Sequence, residues 1–366
     1  MTMQKIKERD KEIIISLSKN PKIRKHIRKI VNYFDDLQYF WQNPNLLDFQ
    51  KAEMGEEAYN NFLDLKHNTI PERELEFLKK EDINTIFIND KNYPDLLKEI
   101  FDPPIVLYVR GNINIENRLK LSIVGTRRPT NYGIESALNI AEHIAKSDFV
   151  IVSGLAIGID TLAHRGSLNG GGMTVAVLGT SVDDKSIYPS INRSLVLKII
   201  ESGGAVISEY PLGYPIFKHN FPERNRIISG LSHGTLVVEA KKRSGALITA
   251  NFALEQGREV FAVPGDINRL ESEGPNSLIK MGAKIVMHYS DILNEFGIEE
   301  INKEEIKADS ELEMKIIEVI KNESLHIDKI VELTGLSISE VSSTLSLMEI
   351  KGKVINLGAL NFVIKK

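Results

Sequence analysis

The chain has 366 residues, of which 42% are hydrophobic and 26% charged, with a formal net charge of −4 and no cysteine. Disulfides, thiolate catalysis and Cys-ligated zinc are excluded, and the length suits two or three domains at roughly 100–200 residues each. A global basic signature for nucleic acid is missing, although a focused basic cleft can still hold phosphate on an acidic protein. The N-terminal stretch through Leu17 is highly charged without an apolar signal core, and no apolar run approaches the roughly 20 residues of a membrane span. A cytoplasmic protein with no membrane partner is expected.

Residues 1–70 read as a helical N-terminal domain: Ile13, Ile14 and Leu17, then Ile23, Ile27, Ile30, Val31 and Phe34, recur at helical spacing. The segment Lys22–Lys29 adds a basic face, which is either a contact for DNA or an acidic partner, or simply a solvated helix face. From residue 71 the chain looks like a connector. It holds two short strands, Thr85–Ile88 and Val106–Val109, with Pro103 and Pro104 forcing extended backbone between them.

The pattern then becomes regular from Lys120 to Phe296. Seven short apolar runs are expected as strands: Leu121–Val124, Phe149–Val152, Thr174–Leu178, Ala205–Ser208, Leu236–Val238, Val260–Val263 and Lys284–Met287. Helical stretches such as Ile134–Lys146, Asn192–Glu201 and Ala246–Gln256 separate them. Strands alternating with helices imply right-handed crossovers and a parallel sheet covered on both faces, an α/β fold with a Rossmann-like core spanning 71–298. An acidic, lysine-containing linker follows over 299–310. The tail 311–366 reads as a winged helix: Leu312–Lys321, Ile327–Leu333, a turn at Gly335, Ser337–Glu349, then strands Val354–Leu357 and Asn361–Ile364.

Ligands of open parallel sheets sit beyond the carboxyl ends of the strands. There the sequence places Gly125-Thr126-Arg127-Arg128, then Ser153-Gly154 with Gly158. Lys218, Asn220, Phe221, Arg224, Asn225 and Arg226 follow, and Ser244-Gly245 after them. Glycine lets backbone N–H groups approach a phosphate, helix N-termini add positive potential, and arginine supplies a forked donor. Such a rim suits an anion. No P-loop motif is present, and the second strand ends in Ser153-Gly154 where a dinucleotide fold would usually place an acidic residue for the ribose, so NAD is disfavoured and no cofactor is expected. A cation beside an aromatic ring suits phosphate next to an unstacked base. The bland reading has Phe221 plugging the core and the arginines paired with Glu209 and Glu239.

These residues strongly resemble the DNA-processing protein A family (DprA/Smf). The resemblance is carried by Ile123–Arg127, Val152–His164, Ser208–Pro211, Phe221–Arg226, Val238–Ala240, Ser244–Thr249 and Arg258–Gly265, in unbroken order over about residues 90–295. It implies a non-catalytic protein of natural transformation that binds incoming single-stranded DNA without sequence preference, loads the RecA recombinase and acts as a homodimer. It further implies that Arg127 and Lys218 contact phosphate and that Phe221 lies against a base. The flanking regions are similar to the family's helical, SAM-like N-terminal and winged-helix additions. Two departures stand out. The N-terminal region lacks the Gly-containing turn of a DNA-binding helix-hairpin-helix, and Gly179–Pro189 is longer than the usual loop.

Two other functions compete. Asp160 and His164 lie i, i+4 on one helix face and could act as base and orienter in a phosphoribohydrolase-like enzyme acting on nucleotides, though no activated nucleophile accompanies them. The winged helix could read duplex DNA as a regulator. Its recognition helix, Ser337–Glu349, contains no Arg or Lys, which favours protein interaction instead.

Overall fold

A computed structural model describes residues 6–298, 308–320, 324–356, 358 and 360–364. Most of the expected linker, residues 299–307, lies outside the described residues, as do the ends of two C-terminal elements, Lys321 and Leu357. The chain divides into two compact units, Met1–Glu299 and Glu300–Lys366.

In the first unit the sheet has nine strands: β1 (Asn84–Phe87), β2 (Val106–Gly111), β3 (Lys120–Val124), β4 (Val150–Ser153), β5 (Thr174–Leu178), β6 (Ala205–Ser208), β7 (Gly234–Val237), β8 (Glu259–Ala262) and β9 (Lys284–Ile285). Their order is β1-β2-β6-β5-β4-β3-β7-β8-β9. β3 to β9 run parallel, as the alternation with helices requires, whereas β1 and β2 join antiparallel at the β6 edge. The two strands of the apparent connector are therefore part of the sheet. The short run before Asp102-Pro103-Pro104 allows a direct return, so β1 and β2 pair antiparallel, whereas parallel neighbours need a long crossover. The last strand is shorter than the expected Lys284–Met287, because Val286 and Met287 lead directly into the helix Tyr289–Glu295.

Alternation along the strands divides the core. Leu121, Ile123 and Ile151 face one hydrophobic cluster with Ala137, Ile140 and Ile144 of the helix Asn131–Lys146. Val150, Val152, Val175 and Val177 face the other, which continues without a break into the N-terminal helices. Those helices bury Ile13, Ile14, Leu17, Ile23 and Ile30, the residues whose spacing marked them as helical, around Phe40, Phe49 and Phe62. A further helix, Pro71–Lys80, occupies part of the expected connector, with Pro71 at its first position, where a missing N–H costs nothing. The N-terminal helices are also tied to the sheet by polar contacts. Ser18 Oγ and Tyr108 Oη share a buried hydrogen bond of 2.7 Å.

The second unit holds helices Glu311–Ile320, Ile327–Thr334 and Ile338–Ile350. With them is a three-stranded sheet of β10 (Leu325–His326), β12 (Asn361–Ile364) and β11 (Val354–Asn356) in that order. Gly335 adopts φ 68°, the left-handed turn between the second and third helices. Glu313, nearly buried, accepts Lys351 at 2.9 Å and Lys353 at 2.6 Å, which fixes the start of the wing against the first helix.

Candidate nucleic-acid interface

The carboxyl ends of the parallel strands open into a cavity of about 880 Å³. Nine of the residues expected at the rim line it: Gly125, Thr126, Arg127, Lys218, Phe221, Arg224, Asn225, Ser244 and Gly245. The other six, Arg128, Ser153, Gly154, Gly158, Asn220 and Arg226, do not. Arg128 is exposed just beyond the turn, its backbone N–H on Thr126 Oγ1 at 3.3 Å. Ser153 is buried beneath the rim, donating to the Ile123 carbonyl at 2.6 Å. Asn220 is buried at the start of the helix Asn220–Gly230 and donates to the Pro215 carbonyl at 3.5 Å.

Gly154 and Gly158 shape the site from behind. Gly158 has φ +86°, and a Cβ there would lie 2.3 Å from the Thr126 carbonyl oxygen. Only glycine lets the start of the helix Ile159–Asn169 sit under the turn that carries Arg127. Gly154 accommodates a guanidinium: a Cβ would come within 2.3 Å of Arg224 Nη1.

Arg224 points inward. Its Nη1 donates to the carbonyls of Gly154, at 2.7 Å, and Val177, so it braces the loop after β4 against β5. Burial lowers its pKa to about 10, while the nearby Asp160 carboxylate opposes the shift. Asp160 is itself raised by burial, an effect countered by Arg224 and by N–H donation from Ala156 at 3.4 Å. Arg226 is likewise structural. It pairs with Glu209 through two hydrogen bonds of 2.6 and 2.8 Å. Arg24, from the basic N-terminal segment, joins the same carboxylate at 2.5 Å and lies over the Tyr210 ring at 4.5 Å. Arg28 donates to the Pro103 carbonyl at 2.6 Å. The face suspected of touching DNA is thus partly turned onto the sheet unit. Glu239, unlike Glu209, makes no ion pair among the described residues: it accepts the Thr130 N–H at 2.9 Å and the Thr130 hydroxyl at 2.6 Å at the start of Asn131–Lys146.

Three cations on the cavity remain. Arg127, Lys218 and Arg243 are exposed and make no ion pair with any described residue, and Lys241 beside them is held by Glu271 at 3.4 Å. Arg243 was not singled out from the sequence, although its place in the loop after β7 was the available signal. Ser244 caps the helix Gly245–Glu255, accepting the Ala246 N–H at 3.3 Å, so that helix turns its positive end to the same rim. Phe221 is half-buried on the cavity wall, with Tyr188 at a centroid distance of 5.7 Å.

The competing acid–base pair does not assemble here. His164 is fully buried, shares a 2.7 Å hydrogen bond with Thr174 Oγ1 and does not line the cavity. Burial drives its pKa down to about 3, so the ring is neutral at ordinary pH.

A family model described as DNA recombination-mediator protein A matches residues 84–297. The chain belongs to this family. The family's accessory module, described as the DprA winged helix domain, matches residues 303–358. DNA recombination-mediator protein A relatives include DNA processing protein DprA of Bacillus subtilis, 41% identical over 254 residues that cover 69% of this chain and 84% of the relative. Protein Smf of Escherichia coli is 38% identical over 301 residues, 80% of each chain. Among solved members, DprA from Streptococcus pneumoniae aligns with a TM-score of 0.65 at 36% identity, over 80% of this chain and 99% of that one. The Helicobacter pylori protein, solved to explain its single-stranded DNA binding mode, aligns with a TM-score of 0.53 at 31% identity, over 58% and 95%. The motif resemblance read from the sequence thus corresponds to family membership. No helix among the described residues is long and apolar enough to cross a membrane.

Proposed function

We propose that this protein is a non-catalytic single-stranded DNA-binding mediator that protects incoming DNA and loads RecA during natural transformation, acting as a cytoplasmic homodimer. One observation carries the DNA-binding part: three exposed cations that make no ion pair among the described residues, a half-buried aromatic ring and a helix N-terminus share one open cavity on a chain of net charge −4. Cations with no internal partner leave their donors for an external anion, and an adjacent ring offers a surface that any base can stack on. Arg127 and Lys218 take phosphate in this reading, Phe221 takes a base, and the Gly245 N–H at the start of the helix Gly245–Glu255 adds a donor, whereas the Thr126 and Ser244 N–H groups are held by the carbonyls of Glu239 at 2.7 Å and Lys241 at 3.0 Å. Arg224, Asn225, Gly154 and Gly158 hold that arrangement in shape. The binding mode of the Helicobacter pylori relative supports the choice of ligand. The RecA and homodimer assignments rest on family membership.

Fluorescence anisotropy with labelled oligo-dT and with a duplex of equal length tests the reading at several salt concentrations. Preference for the single strand is expected, with a log–log salt slope of roughly 0.7 per neutralised phosphate. A salt-independent signal refutes the contacts. RecA filament formation on single-stranded DNA, timed with and without the protein, tests loading. Incubation with mononucleotides is expected to give no product. Release of base or phosphate that is lost in His164→Asn would overturn the non-catalytic assignment.

A further inference from the structure

The long loop from Gly179 to Pro189 leaves the carboxyl end of β5 and is fastened at many points. Its own Val182 and Ile187 are buried. The Asp183 carboxylate accepts the Ser186 N–H at 3.2 Å, the Ser186 hydroxyl at 3.0 Å, and the Ser181 hydroxyl. Arg110 of β2 donates to the Val182 carbonyl at 3.0 Å and to Asp184 at 2.6 Å. Arg193 holds the Lys185 carbonyl at 3.2 Å. A segment with this many anchors is a support with low local mobility.

It supports two rings. A Cβ at Gly179 would meet the Phe221 ring at 2.9 Å, so the root of the loop is the back wall against which Phe221 sits. Near its end the loop presents Tyr188, which lines the same cavity as Arg127 and Lys218 and is 53% exposed. The Tyr188 hydroxyl has no hydrogen-bond partner among the described residues. The two planes meet at 57°, so the rings do not stack face to face on each other. Folding gains little from a large ring left half in water on a rigid loop. A second aromatic beside a cationic trough is the layout that tracks successive unstacked bases.

We propose that Tyr188 is a second base platform next to Phe221, so that the site takes two consecutive nucleotides of an unpaired strand, one base on each ring, with the linking phosphate and a flanking one on Arg127 and Lys218. The inference deepens the single-stranded DNA reading above and rests on it.

The test compares wild type, Tyr188→Ala, Tyr188→Phe, Phe221→Ala and Lys218→Ala by anisotropy, on oligo-dT and on a strand of the same length made of abasic sites. Tyr188→Ala is expected to weaken oligo-dT binding roughly five- to 150-fold, the span of a single base–aromatic stack. Tyr188→Phe is expected to retain wild-type affinity, and the abasic strand to bind Tyr188→Ala and wild type equally. If Tyr188→Ala lowers the melting temperature, Tyr188→Leu, which fills the space without a π face, is used in the same comparison. Wild-type affinity in the Tyr188 variants, with Phe221→Ala and Lys218→Ala weakened, overturns this inference and leaves the DNA reading standing. An equal loss on the abasic strand also overturns it, because the residue then acts through shape alone. No change in any variant overturns the DNA reading and this inference together.

Discussion

Glu209→Gln is the most searching perturbation of the fold, because it removes one charge and almost no volume from a carboxylate that joins the N-terminal helices to the sheet. Glu209 is 5% exposed and is held by Arg226 through two hydrogen bonds and by Arg24 at 2.5 Å. Burial by itself would raise its pKa, but Arg226 and Arg24 outweigh it and bring the value down to about 2, from an ordinary 4.5. At about 1.4 kcal/mol per pH unit, that difference corresponds to about 3 kcal/mol of stability at neutral pH. Both arginine side chains are less than a third exposed, at 20% and 14%, so solvent screening removes little of this. Breaking a buried pair falls in the same range, since the glutamine leaves the Arg24 guanidinium without its carboxylate and Arg226 with only the Asp102 carboxylate at 3.6 Å. At about 2–4 °C per kcal/mol for a domain of this size, Glu209→Gln should lower the melting temperature by about 6–12 °C.

The sign of the pH dependence gives a second readout. The folded value lies below the unfolded one, so the contribution is fully present above the unfolded pKa near 4.5 and is lost as pH falls towards 2. Urea midpoints of wild type and variant should therefore differ by a constant amount at pH 6–8 and converge in acid, with about 1.4 kcal/mol of the gap gone by pH 3.5. A gap under about 1 kcal/mol at pH 7, or one that does not narrow on acidification, would refute the assignment of Glu209 as the hub.

Three further outcomes are expected. Arg127→Ala and Lys218→Ala should each lower the salt slope for oligo-dT by roughly 0.7 with the melting profile intact; an unchanged slope counts against a phosphate contact. Gly158→Ala should cost about 1–3 kcal/mol in urea unfolding, because alanine must hold a strained positive φ and its Cβ meets the Thr126 carbonyl. Unaltered stability would show that the turn yields instead. His164, pushed by burial from 6.5 to about 3, should make stability complete above pH 6.5 and falling as pH drops from there towards 3, by about 1.4 kcal/mol per pH unit. His164→Asn should flatten that slope between pH 6.5 and 5 in urea titrations; a variant that keeps the wild-type slope would assign the acid sensitivity to other groups.

The sheet was legible because its strands are short β-branched runs separated by helices. That pattern fixes direction through the handedness and length of the crossovers. The rim was legible for the same reason: once the strands point one way, whatever follows each of them lies at one edge. Tyr188 and Arg243 carried this positional signal too, but nothing local distinguished them from other loop residues. β1 and β2 looked like a connector because they lie outside the strand–helix alternation, and their place at the β6 edge depends on pairing partners about 100 residues away.

The amino-acid sequence alone settles the α/β class, the parallel core, the winged-helix tail and the edge on which the loops after the strands converge, since each follows from local periodicity and chain direction. Only the tertiary structure sorts the cations. Arg24, Arg224 and Arg226 look as available as Arg127 and Lys218 in one dimension. In three, the first group finds carbonyls and a buried carboxylate, while the second faces open space on the cavity. That division rests on which distant groups each side chain can reach, and long-range reach is a property of the packed chain.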